Sequence, residues 1–508
     1  MITIIEIRQI ACVVALMFSA GVTTHAEVKL PALFGDHMVL QRDRPLHIWG
    51  MATPEESISI DFDGNHGRAV ADALGRWSVY LPPPAAGGPF TLTVQGKNTI
   101  RLSDVLVGDV WVASGQSNMQ FSMQAAPPWT RGTRNSAVEI AAADHPDMRL
   151  MQVPIATATG PQPDMQSTQW QRCSPASAAS FSAVAYFFGR ALLLKEKVPI
   201  GLIESNVGGT PAEAWTSMDA LTSTAALMPV FTARAHMTDG LATVELQEKQ
   251  EAEAAAAAKA RGETPPAPLS RPTPSTWAPA SLFNAMIAPL VPFPIRGVIW
   301  YQGESNTDVE RAPIYQLLFR TMIEDWRAQW KQGDFPFLFV QIANFQSTDA
   351  WASVREAQRR TLRLANTGMA VTIDIGEPKA IHPIDKQDVG YRLSLWARDL
   401  SYGEAIEDSG PLFRQAVPEG GGMRVWFTHD ASGLTAKGGS LEGFEVAGPD
   451  GRFVPAQARI EGDSVVASSS KVPFPEAVRY GWASAPDCNL FNGAGLPASP
   501  FTSLHDPR

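Results

Sequence analysis

The sequence predicts an α/β core, a parallel sheet flanked by helices, with a small all-β domain before it and another after it. Three observations carry this. Between residues 106 and 404, short apolar β-branched runs alternate with stretches of helical apolar spacing, as strands do when crossover helices return the chain in parallel. On either side, residues 27–105 and 405–508 hold short alternating runs separated by Gly, Pro, Asp and Asn turns. The length of 508 residues, 45% hydrophobic and 18% charged, suits about three globular domains at roughly 150 residues each. Forty glycines and forty prolines exclude a coiled coil or a fibrous chain, and a formal net charge of -10 argues against a nucleic-acid partner.

The first 26 residues read as an export signal. Arg8 supplies a short basic region diluted by Glu6, Ile10 to Val22 is apolar, and Thr24-His25-Ala26 has the small-x-small form of a cleavage site. The apolar run is shorter than the about 20 residues of a spanning helix. The mature chain is therefore expected to start near Glu27, to be periplasmic or extracellular, and to have no membrane partner after cleavage. Cys12 would leave with the signal; Cys173 and Cys488 would remain, as a disulfide or as two thiols.

The runs HMVLQ, LHIWG, SISIDF, WSVYL and FTLTVQ recur at the spacing of a small β-sandwich. From residue 106 the strands expected are DVWVAS (109–114), MRLMQV (148–153), PIGLIESN (199–206), RGVIWYQ (296–302), FPFLFVQI (335–342) and MAVTID (369–374). Helical spacing covers residues 180–196, Ala312 to Gln332, Ser353 to Asn366 and Asp385 to Leu400. Residues 225–275 or so read as an insertion. An Ala/Glu/Lys-rich helix, Leu241 to Arg261, is followed by an extended linker with Pro265, Pro266, Pro268, Pro272 and Pro274. It reads as a surface excursion rather than a lid. Runs such as MRVWFTH, GFEVAG and AVRYGWAS then mark the second β domain, residues 405–508.

The chemistry-bearing motifs each follow an expected strand, the place where parallel sheets build their sites. Ser117, in VASGQSNM (112–119), is a nucleophile or a helix N-cap. Gly208 and Gly209 let backbone N–H groups approach a ligand. In WYQGESN (300–306) the Asn306 amide can donate to an oxyanion, while Glu304 reads as a structural acceptor before a catalytic carboxylate. His382, in DIGEPKAIHP (374–383), is placed to serve as base for a serine. None of the nine histidines pairs at metal-site spacing, and no metal or organic cofactor is expected.

In the order Ser117, Gly209, Asn306, His382 the sequence resembles the SGNH hydrolases, and within them the sialate O-acetylesterase family of carbohydrate esterases. The blocks GQSNM, GGTPAEAW, WYQGESN and DIGEPKAIHP followed by DKQ carry the resemblance, with LFNAMIAPL and VREAQ (354–358) in support. It extends over most of residues 30–505, loosely in the β domains. The resemblance implies a flavodoxin-like sheet, Ser117 as nucleophile and His382 as general base. It implies an oxyanion hole from the Ser117 N–H, the Asn306 amide and Gly209, with Gly208 not separable from Gly209, and substrate-binding roles for Gln116, Gly208 and Glu304. The aspartate that SGNH enzymes often carry three residues before the histidine is replaced here by Lys379. Asp374 is the expected third triad member, with Glu377, Asp385 or a Ser-His dyad as alternatives.

The resulting expectation is an exported O-acetylesterase whose partner is an acetylated carbohydrate, sialic acid or another acetylated glycan. Trp300, Tyr301 and Met119 are expected to crowd the acyl side and favour short acyl groups. Two alternatives stand beside it: a glycoside hydrolase using Glu304 and Asp374, and a non-catalytic glycan-binding protein presenting Trp215 and Trp300.

Overall fold

The computed structural model describes residues 27–127, 130–239, 241–261 and 275–504. The export signal and the proline-rich linker therefore lie outside the described residues.

One long strand, Thr99–Gly115, organises the molecule. Its first residues alternate between exposed and half-buried, and from Val105 onward every residue is buried. That change marks two environments. The first half pairs antiparallel with Gly87–Gln95 in the N-terminal β region. The second half is the centre of a parallel sheet covered on both faces, where continuous burial is the rule. The expected domain boundary at 105/106 thus falls inside a strand rather than in a linker. Elsewhere in the N-terminal region Leu46–Met51 pairs with Arg76–Leu81, and Ser57–Phe62 pairs with both Asn65–Val70 and Gly87–Gln95.

The central sheet runs in the order Thr367–Ala370, Phe337–Val340, Gly297–Tyr301, Thr99–Gly115, Ile200–Asn206, His145–Gln152, Gln171–Cys173. All neighbours are parallel except Gln171–Cys173, a short antiparallel edge. The last parallel strand stops at Ala370, so most of the expected run 369–374 is loop; this loop carries His382.

Helices cover both faces. Trp111 and Gly297 are register partners and point to one face, where Trp111 meets Phe188 of helix Ala183–Glu196 edge-on at 5.0 Å. Trp300, three residues beyond Gly297, points to the other face and packs on Phe319 and Trp326 of helix Tyr315–Trp330. That helix buries Leu318, Phe319, Met322, Ile323, Trp326 and Trp330, an i, i+4 stripe, and ends where Lys331 turns left-handed at φ 53°. Helix Lys386–Tyr402 is capped by the Asp385 carboxylate, which accepts from the Asp388 N–H at 3.1 Å, and stops at Gly403. It lies close against Ala183–Glu196: a Cβ at Gly390 would stand 2.7 Å from Phe187 Cβ. Among the described residues no helix is long and apolar enough to cross a membrane.

The C-terminal region is two four-stranded sheets with a shared core that includes Val425, Phe427, Phe444, Val465, Tyr480 and Phe501. Arg355, fully buried on helix Trp351–Thr361, joins this region to the core by donating to the carbonyls of Ala483 and Ser484 on one side and of Ile342 and Ala343 on the other. Cys173 and Cys488 are separate thiols, each pushed up to about 12 by burial. Within the insertion the structure describes the helices Pro229–Asp239 and Leu241–Ala260.

At the N-terminal end of the sheet Asp109, with no exposed surface, ties three regions together. Arg42 reaches it from the N-terminal β region at 2.9 and 3.0 Å, Arg296 from the lead-in to the neighbouring strand at 2.7 and 2.8 Å, and Tyr402 from the last core helix at 2.8 Å. Burial alone would raise the Asp109 carboxyl; the Arg42 hydrogen bonds and the charges of Arg296 and Arg42 outweigh it and hold the group below its ordinary value. Asp109→Ala leaves two guanidiniums without this partner and is expected to cost about 3–5 kcal/mol in denaturant unfolding. The folded value lies below the unfolded one, so this contribution is full above about pH 4 and is lost as pH falls through the folded value. The gap between wild type and variant should therefore shrink on acidification; a gap that is constant or absent contradicts the assignment.

Candidate active site

Three parallel strands end at one level. Gly115 pairs with Asn206 on one side and with Tyr301 on the other, so the loops after all three begin side by side. Gly115 has φ 137°, and a Cβ there would stand 2.2 Å from the Tyr301 carbonyl, so only glycine fits this exit. The Gln116 N–H then donates to that carbonyl at 2.9 Å, and the chain turns into the short helix Ser117–Gln120. The cap residue is Gln116, which leaves the Ser117 hydroxyl free of a capping role. Ser117 Oγ lies 2.8 Å from His382 Nε2, the distance of a hydroxyl donating to an unprotonated ring nitrogen.

The neighbouring loops bring N–H groups to the same place. Gly208 packs on the serine: a Cβ on it would stand 3.4 Å from Ser117 Cβ. Its N–H is committed to Gln120 Oε1 at 2.8 Å. Gly209, left-handed at φ 71°, has no acceptor for its N–H among the described residues, which separates the two glycines. On the other side the Gln116 side chain accepts from the N–H groups of Gly303 and Ser305 at 3.3 and 3.2 Å, pinning the loop that carries Asn306 to the residue before the serine. The buried Asn306 amide is oriented from both ends. Its oxygen accepts from the Ala212 N–H at 2.9 Å and from Gln302 at 2.7 Å; its nitrogen donates one proton to Glu213 Oε2 at 2.9 Å and keeps a second.

Asp374, the expected third triad member, is engaged by the helix that follows its loop. Both of its oxygens are held by Arg392, at 2.6 and 2.7 Å, and Arg392 also donates to the Val371 carbonyl at 2.6 Å. The carboxylate therefore pins the loop of His382 to the following helix. Glu377 is engaged by Arg131 at 2.7 Å and by the Ile384 N–H at 3.1 Å, and Asp385 by Arg134 at 2.8 Å and the Asp388 N–H. Gln116 and Glu304, expected to bind substrate, both face inward.

Glu304 belongs to a buried polar cluster absent from the sequence reading. Asn118 donates to Glu304 Oε1 at 2.6 Å and to the Ile381 carbonyl at 3.0 Å, and accepts from Lys386 Nζ at 2.6 Å. It thus clamps the residue after the serine to the residue before the histidine. Lys386 also lies over the rings of Phe121 and Tyr301, 4.7 and 5.3 Å from their centroids. Burial raises the Glu304 carboxyl and pushes the Lys386 amine down to about 7. Glu304 is engaged by Asn118 and Asp374 by Arg392, so these two carboxylates do not form the pair that a glycoside hydrolase would need. Trp215 and Trp300 are fully buried and offer no stacking surface to a glycan, and Met119, Trp300 and Tyr301 lie in the core, which removes the basis for the acyl-length expectation.

A family model described as carbohydrate esterase, sialic acid-specific acetylesterase, matches residues 273–389, the stretch that holds Asn306 and His382. The sialate O-acetylesterase of Pongo abelii is 32% identical over 430 residues, covering 76% of this chain and 73% of that protein. That of Homo sapiens is 31% identical over 428 residues, with the same coverage of 76% and 73%. The crystal structure of a carbohydrate acetylesterase from Xanthomonas citri aligns with a TM-score of 0.81 and 39% identity, covering 94% of this chain and 99% of that one.

Two predictions follow from the loop that holds His382. Asp374→Asn weakens a charge-assisted pair and is expected to lower stability by about 1.5–3 kcal/mol. It should reduce turnover of an acetyl ester far less than His382→Ala does; an equal loss in folded protein would restore Asp374 to a direct role. For Lys386, the unfolded side chain holds its proton to about pH 10.4 while the native one sheds it near 7. Over that window the unfolded state binds more protons, so wild-type stability must rise with pH relative to Lys386→Met. Denaturant unfolding of both proteins at about pH 8 and pH 10 measures this, and a flat or falling difference contradicts the depressed amine.

Proposed function

We propose, from the premise that the chain belongs to the sialate O-acetylesterase family of carbohydrate esterases, that it is an exported carbohydrate O-acetylesterase acting through Ser117. The chain is a carboxylic-ester hydrolase, and its substrate class is O-acetylated sugar, whether sialic acid or another acetylated glycan. The observation that carries the serine mechanism is the 2.8 Å approach of Ser117 Oγ to His382 Nε2 beside the loops of Gly209 and Asn306.

In this reading His382 takes the Ser117 proton as Oγ attacks the acetyl carbonyl carbon. The oxyanion so formed is met by the N–H groups of Ser117 and Gly209 and by the second amide proton of Asn306. Collapse breaks the bond to the sugar oxygen, which leaves with the proton from His382, and the acetyl group stays on Ser117. Water then attacks the acetyl carbon as His382 accepts its proton. The second oxyanion collapses to acetate, and the proton returns to Ser117 Oγ. Asp374 steadies the loop of His382 through Arg392, and the chemistry of this reading is carried by Ser117 and His382. The N-terminal segment supports export, with a mature start near Glu27.

Acetate release from O-acetylated sugars and from 4-nitrophenyl acetate tests the proposal. Ser117→Ala and His382→Ala should each lower kcat by about 10⁴-fold or more, and the double variant should be little worse, because the two act as one unit. Asn306→Ala should lower kcat by about 10²–10³ with KM nearly unchanged. Folded Ser117→Ala protein with the wild-type rate would overturn the mechanism. The mass of exported protein gives the mature start.

A further inference from the structure

Trp277 lies just past the end of the inserted stretch, outside every motif singled out by the sequence. Its indole touches the Gly209 loop directly and reaches the Asn306 amide through Arg311 and Glu213. On one edge Nε1 donates to the Gly209 carbonyl at 2.6 Å. On its face lies the Arg311 guanidinium, 4.5 Å from the ring centroid. Arg311 is buried and pairs with Glu213 Oε1 at 3.2 Å, while the other Glu213 oxygen accepts from Asn306 Nδ2 at 2.9 Å. A second tie joins the same two segments: the Ala280 N–H donates to the Glu213 carbonyl at 2.9 Å. Ala280 is left-handed at φ 62°, a conformation unfavourable for a residue with a Cβ, and the chain holds it there to complete the contact.

We propose that Trp277 is a positioning residue for ester hydrolysis, which orients the Gly209 loop directly and the Asn306 amide through Arg311 and Glu213. The two contacts use different parts of the indole. The Nε1–H bond fixes the loop whose N–H faces the oxyanion. The ring face, together with Asp308 at 2.6 Å, positions the guanidinium that holds Glu213, and Glu213 shares with Ala212 and Gln302 the aiming of the second Asn306 proton. An oxyanion donor acts on the transition state only when it is aimed before the reaction. Loosening either contact should therefore slow the chemical step without weakening ground-state binding. This inference rests on the esterase reading above and adds to it a residue that acts through its neighbours.

The two contacts can be separated by substitution. Trp277→Phe keeps a ring against Arg311 and removes the donor to Gly209; Trp277→Leu removes both. On 4-nitrophenyl acetate, Trp277→Phe is expected to lower kcat by about fivefold to fiftyfold, less than the about 10²–10³ of deleting a donor outright, with KM within about twofold. Inhibition by a small boronic acid, whose serine adduct places an oxygen in the oxyanion hole, should weaken by the same factor. Trp277→Leu should lower kcat further, and the step from Phe to Leu should vanish in an Asn306→Ala background, because that step is transmitted through Asn306. Circular dichroism and thermal melts select folded protein; if Trp277→Leu does not fold, the kcat and boronate results for Trp277→Phe decide the matter. An unchanged kcat for Trp277→Phe, a loss confined to KM, or a Phe-to-Leu step that persists without Asn306 would overturn the relay. Ser117→Ala assayed alongside separates the two readings. If it keeps full activity the esterase mechanism fails, whereas if it is inactive and Trp277→Phe is not impaired, only the relay fails.

Discussion

The site depends on the common level at which three strands stop. Asn206, Gly115 and Tyr301 are register partners across the middle of the sheet, and every proposed catalytic group but His382 leaves within five residues of that line. Parallel strands hold this level because their evenly spaced hydrogen bonds and the side chains packed against both faces fix the register. The tight point is Gly115, where the neighbouring carbonyl occupies the space of any side chain. A larger residue there would displace the Tyr301 carbonyl that receives the Gln116 N–H, and with it the start of the helix that carries Ser117.

The strands of the core were legible because both faces are buried, which gives continuous β-branched runs, whereas the N-terminal strands alternate. The boundary near residue 105 was misread because one strand serves both regions, and apolar pattern does not show that a chain passes from one to the other without turning. Ser117, Gly209, Asn306 and His382 stand out in the sequence because each follows an expected strand, and the structure brings their loops to one end of the sheet. The partner of Asp374 was not legible. Arg392 stands two turns into the next helix, and nothing in the spacing says whether the carboxylate turns toward that helix or toward the histidine. Lys386, Glu213, Arg311 and Trp277 were missed for a related reason. Their residue types are common on surfaces, and only packing reveals that the first three are buried and where the fourth points.

Several buried or half-buried amides lie beside the reacting atoms. Asn118 follows the nucleophile and holds the carbonyl before His382; Gln120 holds Gly208; Gln116 holds the loop of Asn306. Each of these side chains is an amide, with donors and acceptors in fixed directions, and each joins two loops that are far apart in sequence. Burying such groups costs free energy unless their partners are met, and here they are met across loops rather than within one. Glu304 Oε2, like Ser114 Oγ and the Tyr301 hydroxyl, is buried with no hydrogen-bond partner among the described residues. Burial raises the Glu304 carboxyl there, against the Asn118 hydrogen bond and the Lys386 charge, which lower it.

How His382 is aimed follows from the same economy of partners. Pro383 confines the His382 backbone to extended conformations, because its ring would clash with a helical predecessor. On the near side Ile381 is held by Asn118 through its carbonyl. On the far side Ile384 is held at both backbone groups: its N–H donates to Glu377, and its carbonyl accepts from the Arg134 N–H at 3.0 Å and from Thr133 Oγ1 at 3.2 Å. With the chain fixed on both sides and φ and ψ restricted between them, only the two side-chain torsions of the histidine remain, and the 2.8 Å contact with Ser117 Oγ selects among them. The carboxylate of Asp374 contributes to this clamp by tying the start of the loop to the helix that follows it.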